Sequence, residues 1–310
     1  MLARYVARRV VEGALTVLAV ATAVFLLLHV LPGDPVEQML GDAASSEDRA
    51  ALRRHLRLDL PITTQYGAFL GDLAGGTMGR SFRQPDETVA SRISEVLPDT
   101  VALALAAVLV AWSLALPLGV TAATRRGTAW DRIASASSLA GLAMPAIWLG
   151  PLLILLFAVK LRVLPLPGDD AHGVPALVLP AITLGAALAA LLTRMTRASM
   201  LEVLNENYVL AARARGLGPL AVTIKHALRT ALLPVVTVGG AQLGAVLGGT
   251  LVTEKIFERP GLGTLFLEAF LARDIPVVQG CVLVVAALHV GVNLGVDLLY
   301  AFIDPRVRLA

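Results

Sequence analysis

The sequence predicts an all-α integral membrane protein with six transmembrane helices and an external helical insertion after the first. Three observations carry that expectation. Apolar residues fill 56% and charged residues 16% of 310 positions, whereas a soluble domain carries about 25% charged residues. Six apolar runs are each long enough to cross a hydrocarbon core that needs about 20 helical residues. Arginines gather in the short segments on one side of those runs.

The first run, Val10–Leu31, follows Arg4, Arg8 and Arg9. Glu12 and His29 lie near its two ends, where polar tips reach the interface. Ala21-Thr22-Ala23 has the small-residue spacing of a leader cleavage site. The apolar run continues through Leu31, however, and cleavage there would strand half a span. An uncleaved first helix is expected, so residues 1–31 form a cytoplasmic N-terminus and first span.

Residues 32–100 form the insertion, acidic on balance and too long for a bare connector. Leu52, Leu56 and Leu58 make a loosely amphipathic stretch. Tyr66, Phe69, Leu70 and Leu73 follow i, i+3, i+4, i+7 spacing. After the turn-rich GGTMGRSF, Asp86 can cap a third helix that carries Val89, Ile93, Val96 and Leu97 on one face. Such helices can brace the span ends, form a platform for an external protein, or both.

The remaining core, 101–310, contains runs at Val101–Ala123, Ile133–Val159, Val174–Thr193, Ala231–Val252 and Pro276–Val296. Arg125, Arg126 and Arg132 sit between spans two and three. Arg194, Arg197, Arg213, Arg215, Lys225 and Arg229 sit between spans four and five, and Arg306 with Arg308 close the chain. An even number of spans puts all these groups and both termini on the cytoplasmic face. The net charge of +3 reflects these arginines and gives no case for nucleic acid. Cys281 is the only cysteine, so no internal disulfide or cysteine metal cluster exists. A buried apolar cysteine is expected.

Between spans four and five, 199–229 includes NENYVLAARARGLGP. The spacing predicts a short helix with Glu202 and Glu206 early and Arg213 and Arg215 in its last turn, an order that complements the helix dipole. Gly216 offers positive φ at the C′ position, and Pro219 prevents simple continuation. A second helical piece, Leu220–Arg229, leads back to the membrane. The device is either a docking knob or an ordinary solvated loop.

This pattern resembles the EAA loop of bacterial ABC-importer permeases, in which an Ala-Ala pair and a following glycine seat in a groove of an ATPase subunit. Ala211, Ala212 and Gly216 match those positions, and the resemblance makes Tyr208, Ala211, Ala212, Arg213, Gly216 and Leu217 the candidate coupling residues. Leu210 replaces the eponymous glutamate, which excludes a salt bridge from that position. The distance from Gly216 to Leu233-Pro234 is also longer than in sugar-type permeases. Both departures resemble the dipeptide, oligopeptide and nickel branch. ARYVARRV, LLLHVLPGDP, LRLDLPI, GRSF, LPLGV, RRGTAWDR, MPAIWLG, LPAITLG, PGLG, ARDIPVVQG and DPRVR resemble blocks of that family in the expected order.

The resemblance implies a type I importer fold and an inner-membrane permease subunit. It also implies a second homologous permease, two ABC ATPases that bind ATP and Mg, an external substrate-binding protein, and surrounding lipid. Peptide cargo is the first expectation, with nickel, glutathione or another small solute as alternatives. No cofactor is expected in this chain. No lysine follows a glycine, so the chain lacks a phosphate loop and cannot be the ATPase. No G-x-S-x-G or H-E-x-x-H pattern appears, and an intramembrane enzyme finds no convergent nucleophile and base. A secondary transporter would usually show internal inverted repeats, and none is convincing.

Within the spans, Gly240, Gly244 and Gly248 are spaced for close backbone approach. Gln242 on that helix is a candidate to face a pathway. His289, Asn293 and Asp297 share a face of span six, a pattern open to inter-helix hydrogen bonding or pathway lining. A lone histidine makes a poor metal site, and no metal ligand set is expected.

Overall fold

The computed structural model describes residues 2–30, 35–40, 45–169 and 173–303. The LPGDP junction, Asp170 and the DPRVR tail fall at least partly outside the described residues, as do the side chains of His29 and Asp297. Regular structure among the described residues is helical, apart from one isolated bridge between Arg80 and Thr88. The helices are α1 (Leu2–Val30), α2 (Pro35–Leu40), α3 (Ser46–His55), α4 (Ile62–Ala74), α5 (Val89–Thr124), α6 (Ala129–Ala143) and α7 (Ala146–Leu153). They continue as α8 (Val174–Val203), α9 (Asn207–Ala214), α10 (Pro219–Ala221), α11 (Arg229–Ile256), α12 (Leu262–Leu271) and α13 (Ile275–Ile303). Two π-helical turns, Ile154–Lys160 and Val222–Leu228, extend α7 and join α10 to α11.

Among the described residues, five helical stretches are long and apolar enough to cross a membrane, and the bent pair α6–α7 makes a sixth if counted as one span. That bend falls within the third span expected at Ile133–Val159. The pair turns by 110° at Met144-Pro145. A residue before proline is pushed out of the helical region, and Met144 is extended at φ −92° and ψ 113°. Hydropathy alone does not register this break.

A correction concerns the insertion. The expected third external helix and second span are one helix, α5. Its 36 residues extend about 54 Å, well beyond a hydrocarbon core of about 30 Å. Its first turns therefore lie outside the core. The cap is Thr88 rather than Asp86: the Ser91 N–H donates to Thr88 Oγ1 at 3.2 Å.

The chain forms two compact units. The first comprises Val101–Arg259 and the chain from Val292 onward, with Met1–Leu2. Here α8 is the hub, with 56% of its apolar stretch buried against 17% for α1. Its neighbours approach through small residues. A methyl at Gly185 would stand 2.6 Å from the Ala107 carbonyl oxygen of α5, and one at Gly141 of α6 would stand 3.1 Å from Ala190 Cβ. On α11, Gly239 approaches Trp112 of α5.

Asp131 and Arg197 fasten α6 to α8 at one end of this unit. The guanidinium donates from Nε to Oδ1 at 2.6 Å and from Nη2 to Oδ2 at 3.0 Å. The Gly127 N–H adds a bond to Oδ2 at 2.9 Å. RRGTAWDR thus supplies both a tight turn and the carboxylate that the turn presents to α8.

The second unit comprises Ala3–Thr100 and Pro260–Gly291. The predicted stripe on α4 meets α1: Phe25 lies 5.1 Å from Tyr66 and 5.5 Å from Phe69 between ring centroids. Val89 and Ile93 pack with Leu262, Leu265, Val277 and the buried Cys281. Asp274 is only 1% exposed. Ser81 Oγ donates to its carboxylate, the Phe82 N–H donates at 3.0 Å, and Arg92 lies 3.6 Å away. Arg83 donates to the Ala272 carbonyl at 3.2 and 3.1 Å. GRSF and ARDIPVVQG, 190 residues apart in the chain, are therefore two halves of one polar lock.

Two outcomes follow from these anchors. Arg197→Leu leaves Asp131 without its charge partner and should destabilise the permease by about 3 kcal/mol. Thermal unfolding in detergent checks this, and the double change Asp131→Leu/Arg197→Leu should recover part of the loss. Asp274→Ala removes the acceptor of the Ser81 hydroxyl and the Phe82 N–H and should make 79–88 at least several-fold more sensitive to added protease. Unchanged cleavage there would show that the turn is held by apolar packing alone.

Candidate functional site

The predicted helix–Gly–helix device occupies one end of the first unit. Glu202 belongs to the last turn of α8, not to the short helix, and Glu206 is the N-cap of α9. A carboxylate there still complements the helix N-terminus. Arg213 lies in the last turn of α9, and Arg215 is its C-cap. Gly216 adopts φ +80°. Its N–H donates to the Arg213 carbonyl at 2.9 Å, while the Leu217 N–H donates to the Ala212 carbonyl at 3.3 Å. These paired bonds form a Schellman reversal, which requires the left-handed residue at C′. Beyond Pro219 the chain runs through α10 and a π-turn into α11 without leaving helical geometry.

The device is pinned from beneath. Val209 and Ala212 are buried with Ala123, Met200, Val222 and Ala227. Ser199 Oγ donates to the Ala231 carbonyl at 3.0 Å, joining the end of α8 to the start of α11. Tyr208 donates its hydroxyl to Thr230 Oγ1 at 3.0 Å. Both hydroxyl bonds bridge the two ends of the loop and limit its freedom to hinge.

The two candidate alanines differ in their surroundings within this chain. Ala212 is 6% exposed within its own chain, so it locks α9 in place. Ala211, Arg213, Gly216 and Leu217 are exposed, as is Tyr208. The large apolar side chains of Tyr208, Leu210, Leu217, Leu220 and Ile224 are each exposed along this segment, Leu220 at 73%. Leu220 and Ile224 were not among the candidates. Large apolar residues in an otherwise polar connecting segment were the available signal. Behind α9 lies a cavity of about 370 Å³ bordered by Arg126, Asn205, Arg213 and Thr223. Its two arginines give this side of the device a positive character.

The intramembrane candidates do not converge on one face. Gly240 meets Val296 of α13, where an added methyl would lie 2.6 Å from Cγ1. Gly244 is buried, whereas Gly248 faces open space. Within the described residues of this chain, the three glycines therefore do not share one contact face. Close approach instead uses neighbouring Gly239, and Gly249 against Leu184. Gln242 and Asn293 are partly buried and His289 is exposed. Among the described residues, no three His, Cys, Asp or Glu side chains stand together as a metal set.

Comparison with known proteins agrees with the order of sequence blocks. Residues 115–309 match the family model described as binding-protein-dependent transport system inner membrane component, and residues 1–104 match its N-terminal counterpart. The di/tripeptide transport system permease protein of Pseudomonas aeruginosa (strain UCBPP-PA14) is 41% identical, over 98% of each chain. The dipeptide transport system permease protein of Escherichia coli (strain K12) is 38% identical over 98% of each. The glutathione transport system permease protein of Salmonella choleraesuis (strain SC-B67) is 39% identical over 98% of each. With an Asp131-anchored helical core and two matched segments along its length, the chain belongs to the binding-protein-dependent transport system inner membrane component family.

Proposed function

We propose that this chain is the transmembrane permease subunit of an ATP-driven importer of dipeptides or oligopeptides. The observation that carries the reading is α9: a short helix fixed by Val209, Ala212 and the Gly216 reversal, with large apolar side chains left exposed along the segment. A knob of this kind suits docking to an ATPase subunit. Leu210 and its apolar neighbours make the contact by burial, since the salt-bridging glutamate of the related loops is absent. The names of the peptide-permease relatives support peptide cargo, and the glutathione permease supports a small-peptide alternative.

The proposed assembly pairs this chain with a second homologous permease, two ATPases and an external substrate-binding protein. ATP and Mg belong to the ATPases, and this chain performs no covalent chemistry. Both termini and the α9 face lie in the cytoplasm, where the arginine-rich segments gather. ATP-driven movement of the docked α9 then biases two permease conformations of similar free energy, one open to each side. Because α9 is pinned to the ends of α8 and α11, a push on it moves both helices.

Gly216→Val tests the knob. No atom lies within 4 Å of an added Cβ at Gly216, so the effect is conformational rather than steric. A β-branched residue at φ +80° costs roughly 1–3 kcal/mol, which redirects the chain leaving α9. ATP-coupled uptake should fall at least tenfold while membrane abundance stays near wild type. Ala211→Arg, on the exposed face, should do the same by obstructing contact. Ala212→Arg would instead disrupt the buried cluster and lower abundance as well. If the first two variants keep ATPase co-purification and substrate-stimulated hydrolysis, α9 is not the docking element.

Reporter fusions test the orientation. Those at Arg126, Asn207 and Ala310 should be cytoplasmic, and those at Ser46, Asp170 and Arg259 external. A cytoplasmic reporter at Ser46 would overturn a crossing by α1.

A further inference from the structure

We infer that the groove between α6 and α8 is a binding site for one anionic phospholipid, with its phosphate at Arg194 and an acyl chain along Leu139 and Leu191. The groove has a volume of about 540 Å³ and is bordered by Ser135 and Leu139 of α6 and, on α8, by Leu191, Met195 and two arginines, Arg194 and Arg197. Its lining is graded. The two helices run antiparallel, since Asp131 meets Arg197 at one end and Gly141 meets Ala190 further along. Polar groups therefore gather at the mouth, and the apolar walls lie deeper.

The dimensions and charges fit a lipid. The lining runs from Leu191 to Ala198 along α8, seven residues and a rise of about 10 Å. That fits within one leaflet, half of a hydrocarbon core of about 30 Å. Trp130 is 58% exposed at the mouth with the Arg125 guanidinium 5.9 Å from its ring centroid. Exposed tryptophan beside arginine marks the headgroup level. Arg197 is neutralised by Asp131, but Arg194 is exposed and makes no ion pair among the described residues. A positive charge one turn into the span calls for an anion, and the described residues supply none. Leu139 is 64% exposed, so the described residues leave this wall of the groove open. Basic pockets between membrane helices hold anionic headgroups in this way. Only the identity of the leaflet rests on the proposed orientation.

The test uses the permease extracted with its co-purifying subunits, stripped of lipid and titrated by native mass spectrometry. Phosphatidylglycerol should be retained about fivefold more strongly than phosphatidylcholine, the preference that one arginine near the membrane surface supplies. Arg194→Gln should abolish that preference, and Arg194→Lys should keep most of it. Arg126→Gln, outside the groove, should leave it unchanged, while Leu139→Trp should reduce retention of both lipids by filling the apolar wall. Equal retention of the two lipids by the unmodified chain would overturn the site, as would an unaltered preference in Arg194→Gln. Displacement of phosphatidylglycerol by inorganic phosphate would identify a free-phosphate site instead. Efficient crosslinking of Ser135→Cys to a second permease, without lipid retention, would show that protein fills the groove. Either outcome would leave the importer reading intact, because α9 takes no part in the groove.

Discussion

Close contact between helix backbones around α8 is the constraint on which the rest of the first unit depends. In hydrocarbon, apolar side chains gain nothing by leaving lipid for protein, so association relies on dense packing and on the few polar contacts available. Gly185 against the Ala107 carbonyl and Gly141 against Ala190 supply that density. With the helices this close, Asp131 of α6 reaches Arg197 of α8 and makes a two-pronged pair. The same hub fixes where α8 ends. Ser199 then joins the start of α11, and α9 has a rigid base.

Polar contacts stand at helix ends and turns, where their geometry is set by short local motifs. Asp131 is held by a turn N–H as well as by an arginine. Asp274 is held by a hydroxyl, a backbone N–H and an arginine. In each case the buried carboxylate has several donors, which offsets the loss of water. Such a group does more to select one arrangement than to add net stability. The insertion is therefore tied to the α12–α13 turn by a lock that tolerates few alternatives.

The face of α9 that we propose as the docking surface keeps the glycine and alanine pattern of the loop it resembles, while its chemistry differs. The Gly216 reversal and the buried Ala212 preserve the shape of the loop. At Leu210 an apolar side chain replaces the charge, and Leu217, Leu220 and Ile224 are exposed apolar side chains as well. Burial of such side chains is non-directional. In the proposed docking, specific alignment would come from the shape of the knob, which the Ser199 and Tyr208 hydroxyl bonds hold in place.

Local patterns determined much of this protein without further help. Apolar run length identified the spans because a helix must satisfy its own backbone in hydrocarbon. The NENYVLAARARGLGP spacing located α9 and the left-handed residue at Gly216, because capping is decided within a few positions. The family was also legible, from the order of its blocks. Features that depend on distant neighbours were not. The bend at Met144-Pro145 was hidden within one apolar run, and α5 absorbed a helix that seemed separate. Ala211 and Ala212 look alike in sequence, yet one turns outward and the other packs against Met200 and Val222. Gly240, Gly244 and Gly248 share spacing but not surroundings. The pairings of Asp131 with Arg197 and of Asp274 with Ser81 join residues 66 and 193 positions apart. Only tertiary structure decides these matters, because a side chain's partner is set by which helix surfaces meet, and periodicity along one helix carries no record of its neighbour.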